Sequence, residues 1–204
     1  MDLKQAINHL LALKAVADES ISIDHLRTDT TVTECNIHWP TDSSLLWDAY
    51  RVRAGEMSRG RQIDAWSCPW RFHVKKIKNM AFFIARYSSS KSKKRLRQVR
   101  QRTKSLIVRV EKVLEKAGKF VAWSRRSPHL ELMAIGKALA DYLPAMRQVA
   151  VVARRRAFDG EKVPNGEKVF SIFEPHAELI MRGRRGRPVE FGHKVLLTQT
   201  KEKL

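Results

Sequence analysis

Three separate stretches of this chain repeat their apolar residues at alternating spacings of four and three. The first is Trp66, Trp70, His73, Ile77, Met80, Ile84 and Tyr87. The second is Leu96, Val99, Thr103, Leu106, Val110, Val113, Ala117 and Phe120. The third is Leu132, Ile135, Leu139, Tyr142, Met146, Val149 and Ala153. Such spacing lays each set along one stripe of an α-helix. A stripe that narrow buries too little for its helix to stand alone. The three are therefore predicted to cover one another as an antiparallel bundle over residues 62–157, with helices crossing near ~20°. Pro69 should start or kink the first helix, because its nitrogen cannot donate to the ladder. Ser88, Ser89 and Ser90 separate the first two helices. The stretch from Gly118 to Ser127 separates the last two, with Ser127 as N-cap and Pro128 at the first helical position. At ~1.5 Å per residue the second helix should span nearly ~40 Å.

The flanks read differently. Residues 2–17 suit a short helix with Leu3, Ile7, Leu10, Leu11 and Ala15 on one face. Residues 24–36 hold Thr28, Thr30, Thr31, Val32 and Thr33, a β-branched run that favours a strand. Pro40 to Ser44 reads as a turn that caps a new helix. After Asp159 and Gly160, Lys168 to Phe173 is a short strand candidate. Val189, Phe191, His193, Val195 and Leu197 alternate as in another strand. A basic, glycine-rich turn, Arg182 to Pro188, lies between them. The expected fold class is therefore α+β and mostly helical. It pairs a sheet of about three strands with a large helical bundle placed between the first strand and a later hairpin. The chain divides into residues 1–43, 44–158 and 159–204. Three strands make a small sheet for a core of its own.

Charge narrows the function classes. Lysine and arginine number 40 against 21 acids, a net +19, while 43% hydrophobic content supports a packed core rather than wholesale disorder. That excess favours a polyanionic partner. No apolar run approaches the ~18 residues of a membrane span. Met1 to Gln5 lacks a secretory pattern, and the two cysteines, Cys35 and Cys68, suit a reducing compartment. A cytoplasmic protein that stays close to the nucleoid is the expectation. The cations concentrate in one place. Lys91, Lys93, Lys94, Arg95, Arg97, Arg100, Arg102 and Lys104 make eight of the fourteen residues from 91 to 104, and none there is acidic. Salt-bridged helices mix signs, whereas like charges three or four apart repel. A phosphate backbone would relieve that repulsion and release counterions. Arg125, Arg126, Arg154, Arg155, Arg156, Arg184, Arg185 and Arg187 are read as extending the same basic face. Nothing in the sequence reads bases: there is no zinc finger, aromatic RNA-binding signature or helix-turn-helix.

Two smaller constellations carry chemistry. Cys35 with His38 and Cys68 with His73 could supply four zinc ligands, but the spacing is looser than zinc modules use, and His73 already fits an apolar stripe. Asp29 sits in the strand Arg27 to Glu34, where a carboxylate needs a positive partner. It is either an exposed edge residue paired with Arg27 or a lysine, or a metal-binding carboxylate on a central strand.

The segment from Leu26 to Leu46, reading LRTDTTVTECNIHWPTDSSLL, resembles the first motif of bacterial insertion-sequence transposases of the DDE type. A second stretch agrees in order: Val169 to Ile180, then Gly183, then Pro188 to Val195. It resembles the segment before the second catalytic aspartate in the ISNCY-type group. The resemblance implies a partial RNase H-like sheet with Asp29 as the first catalytic and metal-binding acid. It implies Mg²⁺, with Mn²⁺ as substitute, and DNA partners in the form of transposon ends and target, met as a homo-oligomer. It also implies metal-dependent strand cleavage and transfer in a complete member. Leu204 falls in or just after the third strand, and no residue matches the second aspartate or the glutamate. Asp159 and Glu161 lie before the second motif, and no role follows for Glu34, Glu174, Glu178 or Glu190. The chain is thus expected to be a truncated or split transposase frame that does not hold Mg²⁺ stably or cut DNA alone. Two other readings remain from the residues themselves: a non-catalytic basic helical protein that coats nucleic acid, and an RNA- or ribosome-associated one.

Overall fold

The computed structural model describes residues 26–184 and 186–200, together with residues 10, 11, 13, 14, 17 and 18. The helix expected over residues 2–17 falls largely outside that range, although Leu10, Leu11, Leu13, Lys14 and Ala17 are helical. The elements run β1 (Leu26–Glu34), α1 (Asp42–Ile63), α2 (Val74–Tyr87), α3 (Lys93–Ser124), α4 (Leu130–Phe158), β2 (Glu178–Arg184) and β3 (Arg187–Thr200). The chain is α+β, with four helices and three strands among the described residues, and it divides into two compact units. One holds residues 1–35 and 192–204, the other residues 36–191.

In the first unit β1 runs antiparallel to the later part of β3, from Leu26 opposite Thr200 to Glu34 opposite Gly192. The strand order is β1-β3-β2, so among the described residues β1 has a single neighbour and lies at the edge of the sheet. In the second unit β2 and the start of β3 form a tight hairpin. Gly186 turns it at φ 94°, a conformation that side-chain-bearing residues rarely adopt.

The second unit is built on the bundle, and the sequence explains its helices. Thr41 and Ser44 form a capping box at the start of α1. Ser44 N donates to Thr41 Oγ1 at 3.1 Å, and Thr41 N donates to Ser44 Oγ at 3.0 Å. The expected turn at residues 40–44 is this cap. Leu46, Tyr50, Arg53, Met57 and Gly60 then fall on one buried face of α1. α3 buries Leu106, Val110, Val113, Ala117 and Phe120, and α4 buries Leu132, Ile135, Leu139, Met146, Val149 and Ala153. Both sets belong to the stripes read from the sequence, of which Leu96, Val99, Thr103 and Tyr142 are only half-buried. At ~1.5 Å per residue the 32 residues of α3 span about 48 Å, longer than expected.

Side-chain contacts fix the directions. Arg95 stacks on Tyr87 and Arg102 on Phe83, so α2 and α3 are antiparallel. Arg53 meets Met146 and Arg156 meets Asp42, so α1 and α4 are antiparallel. Arg154 pairs with Glu111, and Gly136 lies against Ser124, which opposes α3 and α4. The bundle is up-down-up-down. Gly60 lets α1 approach α3: a Cβ there would sit 2.6 Å from the Phe120 ring.

The structure corrects several boundaries. The first stripe was set too early. Trp66 lies on a short 3₁₀ turn and is 87% exposed, His73 caps α2 rather than lining it, and Pro69 precedes the helix. The break after Gly118 is absent because α3 continues to Ser124, with Phe120 and Val121 buried. α4 is capped by His129 rather than started by Ser127 and Pro128, and Ser127 Oγ accepts from His129 N at 3.2 Å. The bundle has four helices, beginning at Asp42 rather than near residue 62. Lys168 to Phe173 is an irregular packed segment rather than a strand, with Phe170, Ser171 and Ile172 buried. The first hairpin strand is instead Glu178–Arg184, which shortens the expected Arg182 to Pro188 linker to a tight turn.

Candidate nucleic-acid interface

From Ala65 to Val110 the sequence holds no acid at all, although it carries fourteen lysines and arginines. This stretch is the whole of α2, the loop after it, and the first half of α3. Lys91, Lys93, Lys94, Arg95, Arg97, Arg100, Arg102 and Lys104 are all exposed. Among the described residues none of them has a carboxylate within ion-pair distance. Three of them are held by rings. The Arg95 guanidinium lies 4.3 Å from the centroid of Tyr87, Arg102 3.7 Å from that of Phe83, and the Lys104 ammonium 4.6 Å from that of Phe158. Such cation–π contacts orient the charged heads without neutralising them, and the side chains stay exposed.

The helix termini carry the wrong sign of charge. Lys93, Lys94 and Arg95 occupy the first turn of α3, and Lys75 and Lys76 the first turn of α2, with no acid in either turn. A helix N-terminus has a partial positive charge, so each of these cations costs a few tenths of a kcal/mol, up to about 1. Lys93 to Arg97, Arg97 to Arg100 and Arg100 to Lys104 add repulsion at helical spacing. The start of α2 has no side-chain cap, whereas at α3 Ser92 Oγ accepts from Arg95 N; both starts set backbone N–H groups amid surplus cations, the combination that binds phosphate.

α2 supplies cations that the sequence reading passed over. Lys75, Lys78 and Arg86 share its outer face with Phe82, which is 59% exposed and lies four residues from Lys78 and four from Arg86. His73, Lys75, Lys76 and Asn79 of this segment, with Arg102 of α3, line an open depression between the two helices. The signal that could have found them is the absence of acid between Asp64 and Glu111.

Other parts of the expected basic face fall away. Arg154 forks onto Glu111, with Nε and the second nitrogen at 2.5 and 2.6 Å from the two carboxylate oxygens. Arg155 binds Glu161 and Glu167, and Arg156 binds Asp42 at 2.6 Å. These hydrogen-bonded carboxylates raise the pKa of Arg154 and of Arg155, and the Arg155 guanidinium in turn lowers that of Glu161. Arg154 to Arg156 are thus internally neutralised. Arg125 and Arg126 remain exposed, at the opposite end of α3. The side chains of Arg184, Arg185 and Arg187 lie outside the described residues. Arg182 pairs with the buried Glu190 at 2.7 Å, which gives Glu190 a structural role in the hairpin.

No known protein family, curated protein or solved structure matches this chain. Its chemistry must be read from its own side chains.

Asp29 is exposed on β1, opposite Leu197, and its Oδ1 accepts from Thr30 N at 2.7 Å. Among the described residues its strand lies at the edge of the sheet rather than at its centre. Among the described residues it has no ion pair with Arg27 or any lysine, and it belongs to no group of three potential metal ligands. One exposed carboxylate does not fit the demands of a Mg²⁺ ion, which keeps its waters unless several oxygens converge. The described residues therefore do not fit the metal that the transposase resemblance implies. The four residues expected to hold zinc are not assembled as a set among the described residues. Cys68 is buried, its thiol facing the Trp70 carbonyl at 3.9 Å and approached by Arg61, while His38 lies 3.7 Å from Asp48. No described trio of potential ligands includes His38, Cys68 or His73.

Proposed function

We propose that this chain binds nucleic acid, duplex DNA above all, through the cationic face of α2 and the first half of α3. The observation that carries it is a surface of acid-free helix whose cations sit at two helix N-termini. That placement costs folding free energy and gains it back only from an anion. Phosphate contacts of this kind position a protein without reading sequence, so little sequence preference is expected. No helix among the described residues is long and apolar enough to cross a membrane.

Within that reading, the two motifs around Asp29 and Pro188 support the part played by such a surface in a DDE-type transposase. The bundle would be the element that grips DNA, and Asp29 one of the acids. A second reading, a non-catalytic protein that coats nucleic acid, is favoured by the isolation of Asp29. Lysine acetylation footprinting in the presence and absence of duplex DNA tests the interface. Lys75, Lys78, Lys93, Lys94 and Lys104 should be protected and Lys137 should not. Uniform reactivity with and without DNA would refute it.

A further inference from the structure

Between α4 and β2 the chain runs through residues 159–177 with only one 3₁₀ turn, Asn165–Glu167. Connections longer than ~12–15 residues without regular structure are uncommon in compact domains, and are usually either functional loops or loose linkers. This one is ordered by packing. Val163, Phe170, Ser171, Ile172 and Ala177 are buried, Arg155 clamps Glu161 and Glu167, and Gln148 donates to the Glu167 carbonyl at 2.8 Å. The segment closes one side of a cavity of about 220 Å³ at the start of α1. An apolar cavity of ~150 Å³ already admits benzene. Its wall is a run of rings. Trp39 meets Phe191 edge-on at 5.4 Å, Phe191 meets Phe170 at 5.3 Å, and Trp39 is 66% exposed.

The cavity shares Asp42, Arg156 and Lys168 with an adjoining polar depression that also holds Lys162. The acids there are taken. Asp42 is bound by Arg156, and Glu161 by Arg155. Lys162 and Lys168 have no carboxylate partner among the described residues, and Lys168 is held toward the cavity by donating to Asn165 Oδ1 at 2.8 Å. A ring-sized slot thus opens beside a surplus of positive charge.

We propose that this cavity binds a nucleotide, its base against Trp39 and Phe191 and its phosphate at Lys168 and Lys162. The occupant is a free nucleotide or the unpaired terminal nucleotide of a strand, which share that chemistry. The site uses none of the cations of α2 and α3, so its failure and the failure of the interface above are separate results. The test is calorimetric titration of the full chain in which Lys93, Lys94, Arg95 and Arg97 are glutamine, with dAMP, orthophosphate and a short single-stranded oligodeoxyadenylate as probes. dAMP should bind one per chain and more tightly than orthophosphate. Trp39→Ala should weaken it roughly fivefold or more, as loss of one stacked base does. Lys168→Gln should weaken it roughly tenfold or more, and Lys168→Arg should restore it, which separates lost charge from lost folding. If the oligonucleotide binds more tightly than dAMP and shares its losses, the source is a strand end; if dAMP binds more tightly, it is a free nucleotide. Orthophosphate binding as tightly as dAMP, or no heat with any probe, would overturn the proposal. So would dAMP affinity unchanged in Trp39→Ala or Lys168→Gln.

Discussion

Arg53 is the largest fully buried side chain, at 0% exposure in the middle of the bundle. Its Nε donates to the Met146 sulfur at 2.9 Å, a weak acceptor, and its two terminal nitrogens have no partner among the described residues. Burial pushes its pKa down to about 10, against smaller opposing pulls from Glu56 and Tyr142. At ~1.4 kcal/mol per pH unit, that depression corresponds to roughly 3 kcal/mol carried by the folded state at neutral pH. Because the folded pKa lies below the unfolded one, the cost is in full force below pH 10. It fades only as the pH climbs above that value. Arg53→Met keeps an unbranched stem in the same space and removes the charge. Replacing an unsatisfied buried ion by a well-packed apolar residue is commonly stabilising by ~1–4 kcal/mol. Urea unfolding followed by circular dichroism should therefore show a gain of about 1–3 kcal/mol for Arg53→Met, with the slope unchanged. The gap from the parent should be flat through neutral pH and narrow above about pH 10. A loss of ~2 kcal/mol or more would refute the reasoning, because it would mean that the guanidinium has a partner in the core.

Leu106→Asp places a charge at a position with 0% exposure and should cost several kcal/mol, read as a collapsed thermal melt. An unchanged melt would show that the α3 stripe is not buried. Pro144 lies inside α4, where a proline removes a ladder bond, so Pro144→Ala should raise stability by about 1–3 kcal/mol in the same urea assay. Purified free of nucleases, the chain should leave supercoiled plasmid intact in Mg²⁺ or Mn²⁺. Nicking that disappears in Asp29→Asn would show that Asp29 completes a site with partners not recognised in the fold.

α3 and α4 were legible because each repeats its apolar residues over many turns, so errors at their ends could not hide the stripe. α1 was seen only as a cap. Its buried face holds Ser43, Asp48, Arg53 and Gly60, and tertiary packing rather than apolar periodicity buries them. Lys168 to Phe173 reads as a strand because it is mostly apolar and short, yet buried irregular backbone looks the same in sequence. β2 was missed because Glu178, Arg182 and Gly183 break its alternation. The cations of residues 91–104 were legible from charge alone. The neutralisation of Arg154 to Arg156 was not, since Glu111 and Asp42 are distant in sequence and only the bundle brings them near. The edge position of Asp29 likewise depends on the pairing of β1 with β3, which strand composition does not specify.

The central claim is that the α2–α3 face, and not positive charge at large, grips the polyanion. The slope of log affinity against log salt for a duplex tests it, measured between about 50 and 200 mM in three proteins. They are the parent, a variant with Lys93, Lys94, Arg95 and Arg97 changed to glutamine, and a variant with Arg125 and Arg126 changed to glutamine. Each phosphate contact contributes ~0.9 to the slope. The four-site variant should flatten it by about 2–4, while the variant at the far end of α3 should keep the parent slope. A four-site variant with the parent slope would place the DNA elsewhere and contradict the account.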